Sequence, residues 1–244
     1  MKTFNAISIP FSVPLQKARF IERPNRFLVR CKLENNGEVV EAHLADPGRM
    51  KELLVPGLVI WIRPESKPKR KTNWTAVLCQ TNDRDGFVSL DSFLPNQLIG
   101  KALAKKAIEE LNEWTLVRPE FKMGDSRWDF LLEKENGKKL IVEVKSVTLV
   151  ENGIGLFPDA VTKRGARHVN ELSHIASSMP DYEAAILFVA QREDIIQIQP
   201  ARSIDPIFAD ALDTAKKSGV KILGRKCHIT LDGITLGEPV FVYI

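Results

Sequence analysis

The segment "LIVEVKSVTL", residues 140–149, contains an apolar run that is interrupted by Glu143 and Lys145. Its β-branched residues predict a strand, in which successive side chains point to opposite faces of the sheet. Glu143 and Lys145 therefore share one face, whereas Leu140 and Val142 share the other. One face is a core face, and the charged face either carries chemistry or meets water.

The preceding segment "SRWDFLLE", residues 126–133, predicts a neighbouring strand, because the turn sequence "ENGK" joins the two segments as a β-hairpin. Alternation places Asp129 on the face opposite to Trp128 and Phe130. We therefore expect Asp129 to approach the two charged side chains of the first strand.

Asp129, Glu143 and Lys145 together suit the metal-assisted cleavage of a phosphodiester. Two carboxylates can hold a hard divalent cation, such as one or two ions of Mg²⁺ or Mn²⁺. The lysine can position a water, or deprotonate it as a neutral amine, and as an ammonium it can offset the charge that develops on phosphate. The alternative is a partly solvated hairpin with ordinary ion pairs, because an Asp followed by Glu-x-Lys arises easily by chance.

The segment "FPDAVTKRGARHVNEL", residues 157–172, favours the chemical interpretation, because it predicts a basic helix that can approach the same face. Arg164 and His168 are the candidates for phosphate contact. His174 lies six residues after His168, on another face of the helix, which is a poor spacing for a shared metal.

The composition describes a soluble globular chain of 244 residues, with 35 Lys and Arg against 31 Asp and Glu. This balance permits a polyanionic partner without requiring one. Three widely separated cysteines form no C-x-x-C pair, and no apolar run is long enough to span a bilayer. We therefore expect a cytoplasmic protein with no membrane anchor.

The first 90 residues predict five short strands, with "DPGRMKELLVPG" (residues 46–57) between the third and the fourth. That segment predicts a short helix capped by Asp46, and this order of elements is that of an OB-like β-barrel. From Asp91 the pattern changes to helices alternating with strands, which predicts a mixed sheet flanked by helices. The chain is thus predicted to be α+β or α/β, with domains at residues 1–90 and 91–244.

The loop "RPESKPKRKTNW" is the densest positive run of the chain and connects the last two predicted barrel strands. It is either a solvated loop or a phosphate-binding loop, and the sequence supports both about equally. Its basic residues are predicted to contact nucleic acid, together with two residues that flank "ADPG". The full set is Lys67, Lys69, Arg70, Lys71, His43 and Arg49.

Four stretches, "HLADPGRMKELLVPG", "SRWDFLL", "VEVKSVTL" and "FPDAVTKRGARHVNEL", closely resemble the signatures of the sugar fermentation stimulation protein family. The resemblance covers essentially the whole chain. It implies an OB-like amino-terminal domain, a carboxy-terminal domain similar to the restriction-endonuclease-like PD-(D/E)xK nucleases, DNA binding and a link to the regulation of sugar use.

On the nuclease pattern, the resemblance implies that Asp129 and Glu143 are the metal-binding acids and Lys145 is the catalytic lysine. The residue before Asp129 is Trp128 and not the proline of the motif's name. Many such nucleases carry a further acid upstream, and Glu120 is the candidate for that metal ligand.

The sequence therefore predicts a protein that binds single- or double-stranded DNA and carries a Mg²⁺-dependent nuclease site. A non-catalytic, DNA-binding transcriptional regulator with a nuclease fold is the alternative. An oligosaccharide-binding OB module attached to another kind of enzyme is a third possibility. The sequence leaves open whether the protein is a homodimer.

Overall fold

The computed structural model describes residues 6–66, 70–81 and 86–244. The helices are α1 (Leu94–Ala104), α2 (Lys163–Ser178) and α3 (Pro206–Lys217), with a 3₁₀ turn at Glu109–Leu111. The strands are β1 (Ser8–Pro10), β2 (Gln16–Asn25), β3 (Leu28–Leu33), β4 (Val39–His43), β5 (Val59–Pro64), β6 (Trp74–Gln80), β7 (Phe87–Ser89), β8 (Thr115–Met123), β9 (Ser126–Glu133), β10 (Lys139–Val147), β11 (Leu149–Glu151), β12 (Ile154–Phe157), β13 (Tyr182–Ala190), β14 (Gln197–Pro200), β15 (Lys221–Thr230), β16 (Gly233–Pro239) and β17 (Phe241–Val242).

The amino-terminal part is a closed barrel, as the sequence predicts. Its sheet has the order β4-β3-β2-β5-β6-β7, and an additional parallel pairing between β4 and β6 closes it. The five predicted strands are β2 to β6, in the connectivity of an OB-fold. Closure removes the unpaired edges that an open sheet would expose.

The predicted helix between the third and fourth barrel strands is wrong. Asp46 Oδ1 accepts a hydrogen bond from the Gly48 amide (2.7 Å), which forms a local turn and not a helix cap. Met50 has a φ of 46°, and only one turn follows, in which the Leu53 and Leu54 amides donate to the Met50 carbonyl. A left-handed residue cannot propagate a right-handed helix, so the segment stays a loop.

The second sheet is mixed and has seven strands in the order β1-β16-β15-β13-β10-β9-β8. Strands β10, β13 and β15 are parallel, and the outer pairs are antiparallel. A smaller sheet, β11-β12-β14-β17, lies beside it. This arrangement with its helices confirms the predicted fold class of a barrel followed by a mixed, helix-flanked sheet.

The division at residues 1–90 and 91–244 stays a prediction. One strand from the first range, β1, belongs to the sheet of the second range. β1 pairs with β16 at the edge of the second sheet, and Ile9 belongs to the core of that sheet. The sequence analysis missed β1 and five other strands, β7, β11, β12, β16 and β17. Most of them are only two to four residues long, too short for a periodic pattern to identify.

Two cores cover the two faces of the large sheet. The first contains α1, three residues of β10 (Leu140, Val142 and Val144) and, from the barrel, Val77 and Leu78. The second contains α2, α3 and Ile141. Because β6 contributes to the first core, the barrel and the sheet pack as neighbours. None of the helices in the described ranges combines the length and the apolar composition that a bilayer crossing requires.

A polar clamp also joins the barrel to the second sheet. The carboxylate of Asp159, which precedes α2, accepts a hydrogen bond from the Arg49 amide of the barrel loop (2.7 Å). The Arg23 guanidinium donates to the carbonyls of Gly48 (2.6 Å) and Arg49 (2.8 Å). A Cβ atom at Gly48 would lie 2.5 Å from Asp159 Oδ2 and 2.9 Å from Asp46 Oδ1.

We expect Gly48→Ala to lower the free energy of unfolding by about 1–3 kcal/mol, because the methyl group must displace one of these carboxylates. Gly86→Ala is the matched control, since its Cβ would make only an ordinary 3.4 Å contact with Thr81 Oγ1. Urea unfolding of both variants and the parent measures the difference. Equal stability of the two variants would contradict the close approach at Gly48.

Candidate active site

The β9–β10 ladder ends where the candidate site begins. The last paired residues are Phe130 and Val142. Beyond them, Asp129 Oδ2 accepts a hydrogen bond from the Val144 amide (2.7 Å), so a carboxylate replaces the backbone partner that β9 no longer supplies. Asp129 Oδ1 accepts a second hydrogen bond, from the side-chain Nδ2 of Asn96 on α1 (2.6 Å).

The end of this ladder also changes the direction of Trp128. Alternation predicts that Trp128 shares a face with Phe130, but the two rings belong to different cores. Trp128 packs on the α2 side with Leu131, because β9 is no longer held in register with β10 at this point. The prediction that Trp128 and Phe130 share a face was therefore wrong, because the side chains of β9 do not alternate regularly between these two residues.

Glu143 accepts both of its hydrogen bonds at one carboxylate oxygen. Its Oε1 accepts hydrogen bonds from Lys145 Nζ (2.6 Å) and from His168 Nδ1 (2.9 Å). Only 8% of the Glu143 side chain and 12% of the Lys145 side chain are exposed. Glu143 and Lys145 therefore share a face, as predicted, and the buried charge of the carboxylate has two donors.

His168 occupies the interior of the protein. It is 3% exposed, on the buried stripe of α2, and its ring lies 5.2 Å from the Trp128 ring. Arg164 Nε lies 3.5 Å from His168 Nε2, so both ring nitrogens have a polar neighbour within the protein. The expectation that His168 contacts phosphate directly does not fit this position, because Glu143 and Trp128 enclose the ring.

The two acids of the site have pKa values that shift in opposite directions. Burial raises the pKa of Asp129 to about 6, and the charge of Glu143 adds to the rise, against the opposing effects of the Val144 amide, Lys145 and Asn96. Burial alone would also raise the pKa of Glu143, but His168 and Lys145 outweigh it and lower that pKa. Glu143 is therefore the permanent anion, and Asp129 is the acid that is easily protonated.

The structure does not bring Glu120 to these acids. Glu120 lies on β8, between residues that pair with the neighbours of Asp129, but its side chain is 69% exposed and lies 3.6 Å from Arg127. Within the described ranges, no three His, Cys, Asp or Glu side chains are grouped closely enough to hold a metal ion.

The predicted nucleic-acid contacts lie on two surfaces. His43, Arg70 and Lys71 line one cavity of about 700 Å³ on the barrel. Arg49 lies in the clamp between barrel and sheet, and Arg164 is exposed on α2 beside His168. Lys67 and Lys69 lie outside the described residues.

Asn96 is the site residue that sequence reasoning missed. It lies in the first turn of α1, in "LPNQL", where an amide is normally a surface residue, so the sequence carries no signal for its contact with Asp129. Gln191, which follows β13 directly, is a second case, because its Nε2 donates to Ser146 Oγ beside Lys145 (2.7 Å).

Asp129 and Glu143 fit a divalent cation by the chemistry of their oxygens. The mutual repulsion that helps to raise the Asp129 pKa is the repulsion that a cation relieves. Glu143 Oε1 has two donors, whereas no described hydrogen bond involves Oε2. Two carboxylates leave most coordination positions to water and phosphate, which is the pattern that Mg²⁺ favours.

Comparison with known proteins gives a consistent result over both halves of the chain. The family profile described as "Sugar fermentation stimulation protein RE domain" matches residues 93–233, and "SfsA N-terminal OB domain" matches residues 21–90. A "Sugar fermentation stimulation protein homolog" of Shouchella clausii is 47% identical, over 95% of this chain and 98% of its own. A homolog of the same description from Moorella thermoacetica is 44% identical, over 93% and 96%. A solved structure of Pyrococcus furiosus SfsA in complex with Ca²⁺ is 26% identical and has a TM-score of 0.87, over 99% of this chain and 100% of that one.

The raised pKa of Asp129 predicts a specific pH dependence of stability in metal-free buffer. Folding favours the protonated form, so the contribution of Asp129 to stability is present below about pH 4 and is lost as the pH rises through about 6. Asp129→Asn cannot ionise, and we expect its stability relative to the parent to rise by on the order of 2 kcal/mol across that window.

Asp232→Asn is the control for this experiment, because it changes an exposed Asp-Gly turn into an equally favourable Asn-Gly turn. Urea unfolding at several pH values with a chelator present measures all three proteins. A constant difference between Asp129→Asn and the parent from pH 4 to 7.5 would contradict the shift.

Proposed function

The chain belongs to the sugar fermentation stimulation protein family, and we propose that it binds DNA and hydrolyses phosphodiester bonds with a divalent metal at Asp129 and Glu143. The observation that carries this proposal is the contact of a buried Glu143 with Lys145, beside an Asp129 whose pKa is raised to about 6. Perturbed acids of this kind are typical of catalytic sites.

Each residue of the site has a defined task in this proposal. The Asn96 and Val144 donors orient Asp129. His168 holds Glu143 ionised from the interior, so it acts as a positioning residue. Lys145, at the partly exposed edge of the site, supplies a positive charge that offsets the charge developing on the phosphate that is cleaved.

A metal bound by Asp129 and Glu143 would polarise the phosphoryl oxygen and lower the pKa of an attacking water. The Ca²⁺ complex of the Pyrococcus furiosus relative supports a hard cation as the cofactor. For this chain, Mg²⁺ or Mn²⁺ is the proposed ion, because Mg²⁺ keeps waters and binds through few carboxylates.

One observation favours the second candidate, a DNA-binding regulator without catalysis. Both oxygens of Asp129 already accept hydrogen bonds from the chain, and no third acid joins the pair in the described ranges. Each Asp129 oxygen therefore keeps one acceptor position for a metal, and the absence of a third acid among the described residues is the observation that favours the regulator. The regulation of sugar use is proposed from the family description alone.

We expect the parent to cleave labelled DNA in Mg²⁺ or Mn²⁺ and to be inactive with a chelator. Asp129→Asn and Lys145→Ala should each reduce the cleavage rate by about 100-fold or more, because each removes a charge that acts on the reacting phosphate. Single-stranded, duplex and branched substrates are assayed side by side.

Asp232→Asn should cleave like the parent, which controls for the loss of a carboxylate elsewhere. If the parent binds DNA but cuts none of the substrates in either metal, the catalytic proposal is wrong and the regulator remains.

We also expect DNA affinity to fall with salt, and to fall less steeply when the basic barrel loop is neutralised. Changing Lys67, Lys69, Arg70 and Lys71 to Gln should reduce the slope of log affinity against log salt by about 0.7–0.9 for each phosphate that the loop no longer binds. Fluorescence anisotropy at several salt concentrations measures the slope.

A charge-matched comparison uses two double variants: Arg70→Gln with Lys71→Gln tests the loop, and Lys105→Gln with Lys106→Gln is its control. Lys105 and Lys106 are exposed just after α1, so their loss changes net charge without changing the loop. An affinity that is independent of salt in the parent would favour the oligosaccharide ligand over DNA.

A further inference from the structure

The barrel carries an exposed aromatic ring at the tip of a tight hairpin. Phe27 follows Arg26 in the two-residue turn between β2 and β3, and it is 49% exposed. Neither turn residue has a positive φ, so the turn accepts most residue types and does not itself require a phenylalanine. A single exposed aromatic ring is common on protein surfaces, so the residues that surround Phe27 decide whether a ligand fits there.

The backbone of this turn is held from three sides. The Phe27 amide donates to Asn25 Oδ1 (2.9 Å), and the Phe27 carbonyl accepts from the Leu44 amide (3.0 Å). The Arg23 guanidinium donates to the Arg26 carbonyl (2.8 Å). The ring is therefore attached to an ordered support, which lowers the entropy cost of binding a planar partner.

Phe27 lines the cavity of about 700 Å³ that also contains His43, Arg70 and Lys71. Lys71 is exposed and has no ion-pair partner among the described side chains, so its charge is available to a ligand. Arg70 is bonded to Glu65 (3.0 Å), which also binds Arg63 (2.8 Å).

One acidic residue, Glu41, lines the same cavity. It is bonded to the Arg30 guanidinium (3.0 Å), which also binds Glu22 (2.7 Å). The charge of Glu41 is therefore compensated by Arg30, whereas Lys71 has no ion-pair partner among the described side chains. In this cavity the Phe27 ring suits a base and the Lys71 ammonium suits a single phosphate.

We propose that this cavity binds a single-stranded segment of nucleic acid, with one nucleobase stacked on Phe27 and the adjoining phosphate at Lys71. The inference rests on the proposed DNA binding and adds the strandedness of the substrate. A base can offer its flat face to a protein ring only when it is not stacked within a duplex. Described residues of two loops line the cavity, Phe27 of β2–β3 and Arg70, Lys71 and Thr72 of β5–β6, and in an OB-fold these two loops contribute to ligand binding.

The test separates base stacking from phosphate contact. The full chain is titrated, in a chelator and by fluorescence anisotropy, with a labelled oligothymidine of about 12 nucleotides, an abasic strand of the same length and a duplex. We expect the parent to bind the thymidine strand about tenfold more tightly than the abasic strand, on the scale of one stacked base.

Phe27→Ala should lose this preference and bind the abasic strand like the parent, whereas Phe27→Tyr should keep it. Val39→Ala is the control, because Val39 is a 58% exposed apolar residue of β4 that does not line the cavity. Thermal unfolding checks that the exposed Phe27 can be replaced without loss of the fold.

Retention of the preference by Phe27→Ala, or its absence in the parent, would overturn the stacking site while leaving DNA binding intact. Equal or tighter binding of the duplex by the parent would also overturn it. If the parent binds none of the three ligands at low salt, the proposed function and the stacking site both fail.

Discussion

The buried carboxylate of Glu143 is the constraint on which the arrangement of the site depends. A charge with 8% exposure is stable only with donors, and it receives one from Lys145 on its own strand and one from His168 on α2. The position of α2 against the sheet is thereby linked to the ionisation of Glu143. Burial raises the pKa of Asp129, and the charge of Glu143 adds to that rise, so two neighbouring carboxylates have different properties.

The contacts between the barrel and the sheet lead to this same site. The barrel strand β7 donates from the Ser89 amide to the Gln191 carbonyl (3.1 Å), and the Gln191 side chain holds Ser146, next to Lys145. On the other side, Asp159 holds Arg49 just before α2 begins. Hydrogen bonds thus connect the barrel to the neighbours of Lys145 and of α2. In the proposed function, the barrel would hold a nucleic-acid strand while the acids react with it.

The loop that includes Gly48 shows how tertiary contacts replaced a local preference. Asp46 and Pro47 are good residues for the start of a helix, and Met50, Leu53 and Leu54 have a helical spacing. The apolar residues are buried in the barrel core, as an amphipathic helix would require. The bonds from Arg23 and Asp159 nevertheless hold the chain in a loop, because they use the backbone groups of Gly48 and Arg49.

The sequence by itself determined the order of barrel strands, the mixed sheet and the common face of Glu143 and Lys145. These features follow from alternation and turn residues, which act over a few neighbouring positions. Only the tertiary structure decided that His168 is a partner of Glu143, 25 residues away, and that Asn96 holds Asp129, 33 residues away. It also decided the reversal at Trp128 and the place of β1 at the far edge of the sheet. Such contacts depend on how separate elements pack, and no periodicity within one element records which residue of another element will meet it.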